Sequence, residues 1–218
     1  MKIATLSKTY NSRVVLEIPA VELPDAGITA VIGPNGSGKS TLAKILAGIV
    51  KPDGGVNVLP GCRVGYLPQK SYAFRMSMEK NILLGGRDPV RAQQLMRALQ
   101  IESLAKQNAK RLSGGETAKM ALCRLLMGRY DLLILDEPTA AMDMESTLSA
   151  EKMICEHVKE QGCSVLLITH SLQQARRMAE HVLFLYQGKL VEQGSADHVL
   201  QNPQQVITKQ FLNFYGMQ

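Results

Sequence analysis

Tryptophan is absent, and aromatic residues make up only 5% of the 218-residue chain. Aromatic faces are the usual platforms for sugars and for stacked nucleic-acid bases, so their scarcity weakens both readings. No apolar run approaches the roughly 20 residues needed to span a bilayer. The opening residues, Met1-Lys2-Ile3-Ala4-Thr5-Leu6-Ser7-Lys8, lack the apolar core of a signal peptide. The expectation is a cytoplasmic protein. Cysteine occurs four times, as Cys62, Cys123, Cys155 and Cys163, with no C-x-x-C pair. That spacing argues against a zinc site or a disulfide frame and fits reduced thiols. Internal repeats, long linkers and low-complexity segments are missing too. The length therefore reads as one domain with room for a small inserted lobe.

Apolar residues at 45% and charged residues at 20% lie near the globular norm. The net charge of +6 is unevenly placed. Residues 61–130 hold 13 Lys/Arg against 4 Asp/Glu, net +9, and the remainder holds 12 against 15, net −3. A basic middle third suits nucleic acid, anionic headgroups or an acidic partner, and equally suits a solvated helical face.

The most informative stretch is Gly33-Pro34-Asn35-Gly36-Ser37-Gly38-Lys39-Ser40, of the form G-x-x-x-x-G-K-[ST]. An apolar run, 28–32, leads into it, and a helix-like run starting at Thr41 leaves it. Strand, glycine-rich loop and helix together predict a phosphate cradle. The glycines let backbone N–H groups point inward, and the helix adds its positive end. Lys39 is placed to reach β- and γ-phosphates, and the Ser40 hydroxyl to hold Mg²⁺.

In chain order, strand-like runs are expected at 1–6, 14–18 and 20–23, with a turn at Thr9-Tyr10-Asn11-Ser12. Tyr10 reads either as a base-stacking aromatic or as an ordinary turn residue. After the P-loop helix, Gly48 is expected at the C-terminal cap, followed by a turn at Asp53-Gly54-Gly55 and a short run, Val56-Asn57-Val58-Leu59. A strand over 63–69 ends at Gln69, beside Pro68. Residues 70–112 are basic, Met-rich and helical in period, with Asp88-Pro89 as a helix start and Leu95, Met96 and Leu99 on one face. Ser113 and Glu116 form an S-x-x-E capping box around Gly114 and Gly115, whose lack of side chains would let a ligand approach the backbone.

Leu132-Leu133-Ile134-Leu135 reads as a parallel strand buried on both faces, ending in Asp136 and Glu137. Ligands of open α/β sheets bind at such carboxyl ends. Asp136 is a candidate for the Mg²⁺ shell, and Glu137 for polarising a water against a γ-phosphate. Asp143 is expected to cap a long helix ending near Gly162. A second buried strand, 164–169, delivers His170 to the same edge. His157 and His181 read as helix-surface or helix-end residues, and His198 as part of a short terminal helix. Residues 182–192 read as a hairpin around Gln187-Gly188, and the tail as two short helices.

Taken in order, these motifs resemble the ATP-binding cassette (ABC) ATPase family over essentially the whole chain. Gly33 to Ser40 resembles Walker A, Gln69 the Q-loop glutamine, and Leu112-Ser113-Gly114-Gly115-Glu116 the family signature. The 132–137 segment resembles Walker B with its catalytic glutamate, Ala141-Met142-Asp143 the D-loop, and His170 the switch histidine. Tyr10 falls at the base-stacking A-loop position. The resemblance implies an α/β fold: a P-loop core with a mainly parallel central sheet, a small antiparallel N-terminal β part and a helical lobe inserted at about 70–130. It implies ATP and Mg²⁺ as ligands. ATP would be held by Tyr10, Gly33, Pro34, Asn35, Gly36, Ser37, Gly38, Lys39, Ser40 and Thr41, and Mg²⁺ by Ser40, Gln69 and Asp136. Glu137 and His170 would be catalytic, with Asp143 in the D-loop. Ser113, Gly114, Gly115 and Glu116 would close over ATP held by a second copy, giving an ATP-sandwich dimer.

The implied partners are transmembrane permease subunits and, indirectly, a solute-binding protein. Nucleic acid is not expected. The implied location is cytoplasmic, peripheral on the inner face of the cell membrane. Ser7-Lys8-Thr9-Tyr10 and the 182–192 hairpin look similar to tungstate- and molybdate-type oxyanion importer ATPases. The short stretch from Gly54 to Gln69 is closer to zinc-importer ATPases, and a soluble ABC ATPase acting on nucleic acid is the other alternative. The signature departs from the family pattern in Thr117-Ala118-Lys119, where glutamine and arginine are common.

Overall fold

The computed structural model of the chain describes residues 1–55 and 58–216. Its main sheet grows around β5 (Ile28–Ile32), β7 (Leu132–Asp136) and β8 (Ser164–Ile168), every residue of which is buried. These strands lie parallel, with β8 between the other two, and β6 (Val64–Leu67) extends the parallel run beyond β7. On the other side of β5 lies β9 (His181–Tyr186), also parallel, and then its hairpin partner β10 (Lys189–Ser195). The hairpin of β2 (Leu6–Tyr10) and β3 (Arg13–Ile18) joins through β3, giving the order β2-β3-β10-β9-β5-β8-β7-β6. A separate antiparallel pair is made by β1 (Lys2–Ile3) and β4 (Val21–Glu22).

The first expected strand, 1–6, is thus two strands broken at Ala4 and Thr5, because its two ends serve different partners. Tyr10 ends β2 rather than lying in a loop. The turn after it uses Asn11 and Ser12 at φ +48° and +63°, the twist a two-residue hairpin requires.

Both faces of the sheet are covered. Along β7, Leu132 and Ile134 point toward α1 (Lys39–Leu46), whose Leu42, Ala43 and Ile45 share their cluster. Leu133 and Leu135 point the other way, into a cluster with Met120 and Leu122 of α4 (Gly114–Leu126) and with Met153 and Ile154 of α5 (Met144–Gln161). This period-2 division explains why an unbroken apolar run was required. A third cluster seats α6 (Leu172–Met178), α7 (Ala196–Gln201) and α8 (Val206–Phe214) against β5 and β9.

Between β6 and α4 come α2 (Met78–Leu83) and α3 (Pro89–Ala98). Asp88 caps α3 at the amides of Val90 and Arg91, and Leu95, Met96 and Leu99 are buried. The α4 capping box is complete in both directions. Asp143 caps α5, which ends at Gly162 with φ +63°. The Val56-Asn57 half of the expected short run lies outside the described residues, and Val58 and Leu59 are buried without forming a strand.

Two histidine readings need correction. His157 is not on the helix surface: it is 2% exposed on α5, because that helix is sandwiched between the sheet and α3. His181 is a half-buried residue of β9, since that strand begins one residue earlier than the hydropathy pattern suggests.

Candidate active site

Four adjacent parallel strands end at one edge in the order β5, β8, β7, β6. The loop of 33–38 follows β5, His170 follows β8, Asp136 and Glu137 end β7, and Gln69 follows β6. Residues far apart in sequence are therefore neighbours across a sheet whose strands are about 4.8 Å apart.

Three glycines give the loop its turn, with Gly36 at φ +79° and the other two also closely approached by neighbouring atoms. Gly33 has φ +146°, and a side chain there would run into the Leu185 carbonyl oxygen. Gly38 has φ +100°, and a Cβ would sit 2.7 Å from Leu16 Cδ1. Gly36 faces open space. Lys39 is 7% exposed, and its Nζ donates to the carbonyls of Gly33 at 2.7 Å and Pro34 at 2.9 Å. Burial pulls the ammonium below the ordinary lysine range, against the opposing pull of Glu137 and Asp136. Ser37 Oγ is buried with no hydrogen-bond partner, so a polar ligand in the loop would satisfy an otherwise orphaned group.

Across the edge, Ser40 Oγ donates to Asp136 Oδ1 at 3.4 Å. Tyr66, on β6, reaches Asp136 Oδ2 at 3.5 Å. Burial raises the Asp136 carboxyl, the hydrogen bond from Ser40 opposes the shift, and nearby Glu137 adds to it. The Tyr66 hydroxyl is pushed up to about 12 by burial and by Asp136. A hydroxyl facing a buried, reluctant carboxylate is a hard-oxygen pair that fits Mg²⁺.

Glu137 has φ +52°. A non-glycine residue held there costs about 1–2 kcal/mol, and the strain lies where the chain turns out of β7. The turn aims the carboxylate along the edge, and its Oε2 is 3.0 Å from His170 Nδ1 and 3.2 Å from Gln69 Nε2. Glu137 is largely covered, whereas His170 is mostly exposed. Such an arrangement orients a carboxylate toward solvent-side chemistry, as a general base requires.

The structure thus brings together Gly33, Pro34, Asn35, Gly36, Ser37, Gly38, Lys39, Ser40 and Thr41 with Gln69, Asp136, Glu137 and His170. Tyr10, at the end of β2, is half exposed, with Lys8 Nζ 5.2 Å from its ring centroid. Ser113 and Glu116 close their own helix end. Gly114 has open space around it, whereas a Cβ on Gly115 would lie 2.8 Å from the Ala141 carbonyl oxygen. Asp143 spends its carboxylate on the Ser146 amide.

Sequence reasoning missed Tyr66, for which the only signal was its period-2 position in β6. It also missed a buried cluster behind the edge. There Gln174 donates to Thr139 Oγ1 at 2.9 Å and to Glu151 Oε1 at 3.2 Å, and Arg177 makes a two-pronged pair with Glu151.

A glycine-wrapped anion loop at a parallel sheet edge, facing paired carboxylates, defines the class of P-loop nucleotide-binding proteins. Residues 16–140 match the ABC transporter family. The chain is 36% identical over 205 residues to the tungstate uptake system ATP-binding protein TupC of Peptoclostridium acidaminophilum, covering 87% of this chain and 96% of the relative. It is 35% identical over 187 residues to the zinc import ATP-binding protein ZnuC of Yersinia pestis, covering 84% and 74%. Among solved structures, the ATP-binding subunit of an ABC transporter superposes with a TM-score of 0.84 at 21% identity, over 99% of each chain. The chain belongs to the ABC transporter family, as an ATP-binding ATPase component coupled to transport. Among the described residues, no helix is long and apolar enough to cross a membrane.

Proposed function

We propose that the chain is the motor subunit of an ABC importer, and that it forms one ATPase domain over 1–218 with a helical lobe at about 70–130. The observation that carries this reading is the convergence of the 33–41 loop, Asp136, Glu137, His170 and Gln69 on one sheet edge. On nucleotide binding, Lys39 exchanges the carbonyls of Gly33 and Pro34 for β- and γ-phosphate oxygens, and the loop amides take the rest of the negative charge. Ser40 and Asp136, with Gln69, would hold Mg²⁺, which neutralises phosphate charge. Tyr10 supports the adenine face.

Glu137 accepts the proton of a water held beside it, and the water oxygen attacks the γ-phosphorus as the bond to the β-bridging oxygen breaks. His170 and Gln69 fix the carboxylate for that step. The exposed amide side of Gly114, with Ser113, Gly115 and Glu116, is offered to the γ-phosphate of a second copy. Asp143 lies at the same seam.

The basic lobe docks transmembrane permease subunits on the inner face of the membrane, and a solute-binding protein delivers cargo to them. Similarity to TupC over nearly its full length favours an oxyanion such as tungstate. The short Gly54–Gln69 stretch favours the second reading, a zinc-type importer, and a soluble ABC ATPase acting on nucleic acid is the third. Glu137→Gln tests the assignment. ATP binding is expected to persist while turnover falls by about two to four orders of magnitude, with an ATP-held dimer in size-exclusion chromatography. Wild-type turnover in that variant overturns the reading, and recovery of the wild-type chain with RNA or DNA and no membrane protein overturns the transport assignment.

A further inference from the structure

The proton acceptor assigned to Glu137 works only if its carboxylate is held within a few tenths of an ångström, yet its own backbone is strained at φ +52°. Something must hold the turn that follows. The Glu137 amide donates to the Ile168 carbonyl of β8; past it, the carbonyl of Glu137 accepts from the Ala140 amide and that of Thr139 from the Met142 amide, which tightens 138–142 only locally. The longer-range tie comes from α6, the helix that begins two residues after His170. Its Gln174 is 3% exposed, and both protons of the side-chain amide are used, one on Thr139 Oγ1 and one on Glu151 Oε1 of α5.

We propose that Gln174 is a positioning residue for hydrolysis: its buried amide joins the turn carrying Glu137 to the helix that follows His170. The inference rests on Glu137 acting as the base. The joint is fixed at both ends. Glu151 is a buried carboxylate, and Arg177 completes it with bonds of 2.8 and 2.7 Å, so the acceptor for Gln174 does not wander. At the other end of α6, Ser171 Oγ caps the Gln174 amide and the Ser171 amide donates to Thr169 Oγ1, one residue before His170. A path of hydrogen bonds therefore runs from the Glu137 turn, through Thr139 and Gln174, to the backbone beside His170. It sets the 3.0 Å separation of the two side chains from behind. Because α5 opens at Asp143, the same amide also links the D-loop helix to this edge.

Gln174→Met keeps the volume and removes both donors. Glu151 retains its pair with Arg177, so the loss falls on the Thr139 tie. In full-length protein, kcat for ATP is expected to drop about tenfold while KM stays within about twofold, because misplacing a catalytic group by a fraction of an ångström acts on the chemical step and not on ground-state binding. Thr139→Val removes the same bond from the other side and leaves Glu151 paired with both Gln174 and Arg177. Its kcat should fall similarly, and the double variant should fall no further than the worse single one. A Gln174→Met protein with wild-type kcat overturns the proposal, as does a double variant whose losses multiply. Where Gln174→Met does not fold, wild-type kcat in Thr139→Val overturns it alone. Glu137→Gln measured beside them separates the two readings. If it is inactive while Gln174→Met turns over normally, the base stands and the positioning role falls. If it is active, the base assignment itself falls.

Discussion

Lowering the pH from about 7 to about 5 charges an ordinary histidine, but His157 is buried between α5 and α3. Its Nδ1 faces Arg91, which donates to it at 3.1 Å and also to the Leu126 carbonyl, and which lies 3.5 Å from Glu160. Burial, then the Arg91 charge, lower the imidazole to about 4, with Glu160 pulling weakly the other way. The folded value lies below the unfolded value of about 6.5. Between these pH values the unfolded chain binds a proton that the folded chain refuses, so stability is full above about 6.5 and is lost as pH falls. The whole window corresponds to about 3 kcal/mol, and about 2 kcal/mol of it is spent by pH ~5. For a domain of this size that is a fall in Tm of about 4–8 °C.

Other carboxylates titrate too, so the assay is a difference. Thermal unfolding is followed from about pH 7 to about pH 5 for the wild type and for His157→Gln, which keeps a neutral acceptor near Arg91 but no titration. The wild type should lose several degrees more than the variant. Parallel pH curves would refute the reasoning, because they would mean that His157 is free to take its proton in the folded state.

Two further outcomes follow from the edge itself. Lys39→Ala should weaken ATP binding by about tenfold or more, measured by titration calorimetry, and unchanged affinity would contradict the loop's role. Asp136 carries a carboxyl whose folded value is raised by burial, so its charge opposes folding above that value. Asp136→Asn should therefore raise the Tm of the nucleotide-free protein at neutral pH while removing the further rise given by ATP with Mg²⁺. A lower Tm, or an undiminished response to ATP with Mg²⁺, would refute that account.

Most of the edge was legible because its parts are local. Glycines that must adopt φ of +146° and +100° announce the loop, and four apolar residues closed by Asp136 and Glu137 announce a strand end at a doubly covered sheet. The capping box at Ser113 and the start at Asp88-Pro89 are likewise read within four residues. What escaped was whatever depends on lateral strand order or on how distant helices pack. Tyr66 meets Asp136 only because β6 pairs with β7 in register, Tyr66 beside Ile134. His157 is buried only because α3 folds back on α5. No local pattern marks either contact.

Lateral order also explains why the edge needs a device such as the Gln174 joint. β8 lies between β5 and β7, so His170 enters between the phosphate loop and the paired carboxylates. The sheet fixes strand ends through its hydrogen bonds, but it fixes nothing beyond them, and both Glu137 and His170 stand one or two residues past the last ladder pair, Asp136 with Ile168. The Glu137 amide still donates to the Ile168 carbonyl at 2.9 Å, which is the final rung. Past that rung the backbone of Glu137 turns into a disfavoured conformation. A strained residue relaxes unless its neighbours are held, and here they are held from the next layer, by α6 and α5, rather than by the sheet. A change in how α5 begins, at Asp143, therefore reaches Glu137 through side chains already in contact.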